Sequence, residues 1–239
     1  MDIDALLGHH APLGSPETRA IAISTPTGSC TLHGTSGALG NALDTALLMR
    51  LRQWADVVFC GAATIRDEDY AGVTLDTEAT RCRQAEGRAA LPPIATISAS
   101  LDFDPASRFF TDASVPPLIF TSREHHDTER AATIRRAGAR LFFLEDPQPA
   151  RVIDHLRALG YPRIVCEGGP GMYGRLLEAG LIDVFHLTLA PLLTSRVERA
   201  LVEGASAEPH RWRLEHTFAH PDSTLFLRYR RAAPGGSAA

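Results

Sequence analysis

The chain has 239 residues, 44% of them hydrophobic and 22% charged, enough for one substantial core in an ordinary globular protein. A formal net charge of −4 gives no electrostatic basis for following a nucleic-acid backbone. All 24 basic residues are arginine, which excludes lysine-dependent chemistry: Schiff-base aldolases, pyridoxal-phosphate enzymes, kinases with a strand lysine and P-loop nucleotidases.

Residues 1–18 hold Gly, Pro and His with little periodicity and read as a flexible N-terminal arm. They show no basic region followed by an apolar core, and no later run is long and apolar enough to cross a membrane, so a cytoplasmic protein is expected. Ala20 to Ser24 is an apolar run suited to a central first strand. The Thr-, Gly- and Ser-rich stretch Thr25 to Asn41 is long for a structureless connection, which marks it as a functional lid. Asn41 can cap a helix Ala42 to Gln53, with Leu43, Leu47, Met49 and Leu51 toward its buried side. Asp44, in the first turn, suits the cap and dipole or could face a substrate.

Strand Val57 to Cys60 runs into Gly61-Ala62-Ala63-Thr64 and a short helical start, with Glu68 and Tyr70 just beyond. Thr77 to Ala90 is polar and suits a surface helix. Ile94 to Ile97, Leu118 to Thr121 and Leu141 to Leu144 read as buried strands, and Thr128 to Ala137 and Pro149 to Leu159 as helices. Cys30, Cys60, Cys82 and Cys166 lack C-x-x-C spacing, and the pairs His9-His10 and His125-His126 read as surface residues, so no metal is expected.

Arg163 to Cys166 reads as a buried strand, followed by the turn Glu167-Gly168-Gly169, a helix opening near Gly171, and a strand Val184 to Leu189. Trp212 to Phe218 and Leu225 to Tyr229 read as an antiparallel pair. Short apolar runs alternating with amphipathic helices predict an α/β fold with a mixed, mostly parallel sheet flanked by helices and a C-terminal antiparallel strand pair. One domain, residues 19–231, is expected, with 232–239 a disordered tail.

The acidic-glycine turn carries most of the functional information. Glycines can let bare backbone N–H groups and a helix N-terminus approach a pyrophosphate, so a nucleotide cofactor is the first hypothesis. Gly169, Gly171 and Gly174 also fit G-x-G-x-x-G, but that fingerprint needs an acidic residue about 20 positions on, where the chain reads Ala190-Pro191-Leu192. A Glu167 carboxylate at a core-strand end needs a partner, either a substrate group or backbone across the turn.

A strand into G-A-x-T, then a strand into E-G-G-P, then the terminal Leu225-Phe226-Leu227-Arg228-Tyr229-Arg230 resembles the pyrimidine reductase domain of riboflavin biosynthesis, a relative of dihydrofolate reductase. The resemblance spans roughly residues 19 to 231 and implies a dihydrofolate reductase-like fold, NADPH as cofactor and a homodimer. In that family hydride goes to C1′ of the opened ribose of 5-amino-6-(5-phosphoribosylamino)uracil. It also implies that Gly61, Thr64, Gly168, Gly169, Gly171 and Met172 contact the cofactor, and that Ser98 and Ser100 stand where the adenosine 2′-phosphate is held, with Arg66 or Arg123 supplying charge. Glu167 and Glu68 become the candidate catalytic residues, and Thr27, Asp44 and Tyr70 the candidate substrate contacts.

The family's Ser-Leu-Asp-Gly after the first strand is here Thr25-Pro26-Thr27-Gly28, and a glycine expected after Pro191-Leu192-Leu193 is Thr194. No H-x-E with P-C-x-x-C occurs, so the zinc deaminase domain often fused upstream is not expected within this sequence. The acceptor therefore stays open between the aminouracil and another substrate such as a pterin or dihydrofolate, and a nucleotide-binding paralogue without turnover is the alternative of a different class.

Overall fold

A computed structural model describes residues 2–206 and 208–232. Its elements in chain order are α1 (Ile3–Leu7), β1 (Glu17–Ser24), α2 (Ala42–Trp54), β2 (Val57–Phe59), α3 (Ala62–Asp67), α4 (Thr77–Ala85), β3 (Ile94–Ile97), α5 (Arg108–Thr111), β4 (Leu118–Ser122), α6 (Glu129–Arg136), β5 (Arg140–Leu144), α7 (Pro149–Ala158), β6 (Arg163–Cys166), α8 (Pro170–Glu178), β7 (Val184–Leu189), β8 (Trp212–Ala219) and β9 (Leu225–Arg231). Among the described residues the strands form one sheet in the order β5-β4-β3-β2-β6-β1-β7-β9-β8. Pairing is parallel from β5 through β7 and antiparallel for β7–β9 and β9–β8. The expected mixed, mostly parallel sheet with an antiparallel C-terminal pair is the observed one.

Two apolar layers sandwich this sheet. One joins Ile21, Val58 and Val165 to Leu47, Leu51 and Trp54 of α2, and the other joins Ala20, Phe59 and Ile164 to Val152 and Leu156 of α7 and Leu176 of α8. Alternation along β1 sends successive residues to opposite layers, as a doubly covered parallel strand requires. Helix α2 begins where Asn41 Oδ1 accepts the Asp44 N–H at 2.9 Å, the expected cap.

The structure departs from expectation in places with identifiable causes. The segment 1–18, expected to be a loose arm, carries α1, whose Leu6 and Leu7 are each 2% exposed in the α2 layer. Strand β1 starts at Glu17, earlier than the apolar run, because its charges neutralise each other inside. Arg19 is fully buried, bonds Glu17 at 2.8 Å, donates to the carbonyls of Leu7 and His9, and lies 4.6 Å over the Trp54 ring. A buried pair of this kind hides a strand from any hydropathy pattern. Strand β5, expected to be buried, is a sheet edge with half-buried side chains. The expected tail 232–239 lies, beyond Ala232, outside the described residues.

Candidate active site

The C-terminal ends of β1 and β6 open into a cleft of about 470 Å³. In an open parallel sheet this is where strand ends, helix N-termini and loops converge. Helix α2 supplies one wall through its spacing. Leu47, Leu51 and Trp54 face the core, while Asp44, Leu48 and Arg52, four residues apart, line the cleft. Thr64 of α3, then Glu68 and Tyr70, form the facing wall, and Glu167 to Pro170 the floor. Residues from 30 to 45 and Arg199 and Leu201 complete the roof.

The floor is built around Glu167. Arg52 Nε and Nη2 donate to its two carboxylate oxygens at 2.7 Å each, Arg52 Nη2 also reaches Tyr70 Oη at 3.0 Å, and Tyr70 Oη donates to the same carboxylate. The Glu167 side chain is 2% exposed, so this fork satisfies what would otherwise be a costly buried charge. Burial and the adjacent Glu167 charge push the Tyr70 phenol far above its usual range; burial works against the Arg52 charge, but Glu167 outweighs it and holds the guanidinium protonated. The partners found for Glu167 are the side chains of Arg52 and Tyr70, not backbone across the turn. Its carboxylate is committed to Arg52 and Tyr70, which sets the geometry of the floor and leaves no free acid there. No local pattern singles out Arg52, because it lies 115 positions from its partner.

The two glycine turns lock together. Gly61 N–H donates to Gly168 O at 2.6 Å, and a Cβ on Gly61 would meet Gly169 N at 3.0 Å. Gly168 has φ +103°, a conformation that favours glycine, and the Gly168–Gly169 peptide is cis. A Cβ on Gly169 would run into Thr64 Oγ1, so this glycine is needed for the turn itself. Gly171 differs: its Cβ would enter open space, and its N–H, in the first turn of α8, has no partner inside the helix. No side chain caps α8. This uncapped helix end, with a glycine facing open space, is a cradle that suits a phosphate. Gly174 completes the false dinucleotide pattern for packing reasons, since a Cβ there would strike the Glu203 carbonyl.

Several candidates lie elsewhere than expected. Met172 is 3% exposed within the core layer of α8 and does not line the cleft. Ser98 is 2% exposed with Oγ accepting the Leu101 N–H at 3.0 Å, and Ser100 Oγ accepts the Asp102 N–H at 3.3 Å, so both hydroxyls stabilise their own turn. Arg66 and Arg130 donate to Asp102 O and Ser100 O, and His125 Nε2 lies 2.7 Å from Ala99 O, which rings that turn with basic groups. Arg123 instead pairs with Glu145 at the surface. Thr27 is exposed, outside the cleft wall, and bonded to Thr25 Oγ1 at 2.9 Å and Thr194 Oγ1 at 3.1 Å. Asp44 does both things open to it: its N–H takes the cap, while its carboxylate lines the cleft and accepts from Thr188 Oγ1 at 2.6 Å. Burial raises the Asp44 pKa against the lowering effect of that hydrogen bond. Glu68 lines the cleft and accepts the Ser36 N–H at 3.2 Å.

A larger hollow of about 700 Å³ lies against β8 and β9, lined by Arg213, Glu215, Arg228 and Arg230, away from every residue of the cleft. There Arg213 and Arg230 bond Glu215 at 2.9 Å each and Arg228 lies 3.5 Å from it, with no glycine among the lining residues. The smaller cleft is therefore the candidate site.

Comparison with known proteins agrees with this fold. Residues 22–226 match the RibD C-terminal domain, and the chain belongs to that family. A pyrimidine reductase-like protein from Corynebacterium diphtheriae superposes with TM-score 0.86 at 32% identity, covering 97% of this chain and 98% of that one. The Saccharomyces cerevisiae riboflavin biosynthesis reductase Rib7 superposes with TM-score 0.66 at 13% identity, covering 97% and 100%, which shows a shared fold. Acinetobacter baumannii RibD matches at TM-score 0.70 and 16% identity, over 92% of this chain and 59% of that protein. No curated protein sequence matches the chain.

Proposed function

We propose that this reductase-family chain uses NADPH to reduce a small heterocyclic substrate, with 5-amino-6-(5-phosphoribosylamino)uracil as the first acceptor to test. The observation that carries the reading is the joined pair of glycine turns beside the uncapped N-terminus of α8, opening onto a cleft floored by Arg52, Glu167 and Tyr70. Gly169, Gly171 and Thr64 would hold the cofactor phosphates, with Gly61 acting indirectly by fixing the Gly168 carbonyl. The basic groups Arg66, Arg130 and His125 around the turn 98–102 support a 2′-phosphate, hence NADPH over NADH. NADPH, when bound, supplies the hydride, so the protein need only orient the acceptor, exclude water and manage one proton. Leu48 and Tyr70 give the acceptor ring an apolar wall, and Arg52 keeps the floor rigid. Burial raises the Asp44 pKa within the cleft, the direction that favours a hydrogen-bond donor or general acid.

The same Asp44 favours one variant: a pterin acceptor, whose ring nitrogens and amino group would face that carboxyl group. Steady-state NADPH oxidation with the aminouracil ribose phosphate and with dihydrofolate separates the two. Binding of NADPH with turnover of neither would sink both and favour the nucleotide-binding paralogue. We also propose a homodimer. The apolar run Val184 to Leu193 cannot supply it as a whole, since β7 is internal to the sheet; Leu193, 78% exposed, and Leu192 are its available part. Light scattering at low micromolar concentration showing only the mass of one chain would count against it.

A further inference from the structure

Two long connections roof the cleft, residues 25–41 and a strap formed by 190–205. They are sewn together beside Arg199. Ser29 and Ala200 form an antiparallel bridge, and Cys30 N–H donates to Arg199 O at 2.9 Å. The neighbouring Glu198 fastens the other side. Its N–H donates to Ser29 Oγ at 3.1 Å, while its carboxylate accepts the N–H groups of His33 and Gly34 at 3.1 Å each and lies 3.4 Å from the Thr31 hydroxyl. Those backbone donors keep the Glu198 carboxyl below the usual carboxylate range, so the fastening persists at neutral pH.

Arg199 is thus placed by backbone on both sides, and it is among the residues that line the cleft wall. Two guanidinium groups line that wall, and they differ in commitment. Arg52 is 13% exposed and closed off by its bidentate bond to Glu167. Arg199 meets Asp67 at 2.9 Å, with side chains 35% and 44% exposed, the kind of surface pair that water and salt readily replace. The second guanidinium is therefore available to a ligand, and its planar fork matches an oxyanion.

We infer that Arg199 is a specificity-determining residue that receives an oxyanion group of the acceptor, and that Glu198 is the positioning residue that holds the strap so as to present it. The identity of the acceptor, though not the oxyanion site, rests on the reductase reading above. A phosphate on the acceptor and a carboxylate on a pterin side chain are the two sources of such a group.

The test titrates inorganic phosphate, and separately NADPH, into the full-length chain by calorimetry for wild type, Arg199→Ala, Arg199→Lys and Glu198→Ala, with circular dichroism confirming the fold. Phosphate affinity should fall roughly ten-fold or more in Arg199→Ala, be partly restored in Arg199→Lys, and lie in between for Glu198→Ala, with NADPH affinity unchanged. In turnover, KM for the acceptor should rise roughly ten- to hundred-fold in Arg199→Ala with little change in kcat. If KM rises for the aminouracil phosphate the group is a phosphate; if it rises for dihydrofolate, a carboxylate. The inference is overturned if wild type binds no phosphate, if a folded Arg199→Ala binds it equally well, or if NADPH affinity falls in parallel, which would assign Arg199 to the cofactor. Arg199-dependent phosphate binding in a wild type that reduces neither acceptor would defeat the reductase reading and leave this site standing.

Discussion

The cleft has two halves built on different principles. The side proposed for the cofactor is local: Gly61 to Thr64 and Glu167 to Gly171 are each a few consecutive residues, positioned by the strand that precedes them and the helix that follows. The side proposed for the acceptor is assembled from α2, the connection 25–41 and the strap, through pairs such as Arg52 and Glu167, 115 positions apart, and Ser29 and Glu198, 169 apart. A local turn is fixed by backbone conformation, so it survives changes elsewhere and leaves a motif. An assembled wall depends on pairs, and each pair is free to change as long as both members change together. The departures from the family pattern at Thr27 and Thr194 illustrate the second case, because the two replaced residues touch each other.

The sharpest way to break this contrast is at Arg52, where the two halves meet. Arg52→Ala would strand the buried Glu167 carboxylate, and removing one partner of a buried pair costs about 3–5 kcal/mol. Urea unfolding should show a loss of that size, whereas an Arg52→Met, Glu167→Met double variant should recover much of it. A loss below about 1 kcal/mol in the single variant would mean that the floor is not held by this pair.

Gly171→Ala probes the cofactor half without disturbing it. The methyl enters open space at the start of α8 and the helix interior prefers Ala to Gly by up to about 1 kcal/mol, so stability should hold or rise while NADPH affinity falls about ten-fold. Gly169→Ala cannot make this distinction, since its methyl collides with Thr64 whether or not a ligand is present. Unchanged NADPH affinity in Gly171→Ala would remove the α8 N-terminus from the phosphate site.

The acceptor half responds to pH through Asp44. Burial raises its pKa in the folded state, so the stability linked to this group is fully present below the unfolded value near 3.9 and is lost as pH rises through the folded value. Asp44→Asn keeps an oxygen to accept from Thr188 and cannot ionise. The variant should therefore gain stability over wild type as pH rises from 4 to 7, read from urea unfolding at both pH values. A constant offset across that range would show that the carboxyl group does not titrate with folding.

How much of this was visible in the sequence follows the same division. The strands Ile94–Ile97, Arg163–Cys166 and Val184–Leu189 were legible to the residue because each is a short apolar run between turn signals, and the two glycine turns because their chemistry is contiguous. The first half of β1 was hidden by its internally neutralised Glu17 and Arg19, and α1 by its brevity. Arg52 read only as a charge on a helix, and Glu198 and Arg199 as part of a polar connection, because their significance lies in partners far along the chain. Ser98 and Ser100 were correctly placed after a strand, but sequence position does not reveal that a hydroxyl is already occupied by the next turn.

The smallest expected effect is at Thr27. If it stood on the cleft wall, restoring the family's carboxylate with Thr27→Asp would be expected to raise kcat/KM for the aminouracil about ten-fold, the worth of a charge-assisted hydrogen bond. Its actual place outside the wall, bonded to Thr25 and Thr194, argues for a change of less than about three-fold, because the new charge would sit in solvent and meet no acceptor group. What Thr27 does carry is a link between the loop after β1 and the strap, through its hydroxyl and both Thr194 Oγ1 and Thr194 N–H. A double-mutant cycle of Thr27→Val and Thr194→Gly should therefore give a coupling of about 0.5–1 kcal/mol in unfolding free energy, near the worth of one exposed hydrogen bond. Additive effects would dissolve the link. A ten-fold gain in kcat/KM from Thr27→Asp would instead bring this loop back into the acceptor site, and with it the view that a single local motif governs that half of the cleft as well.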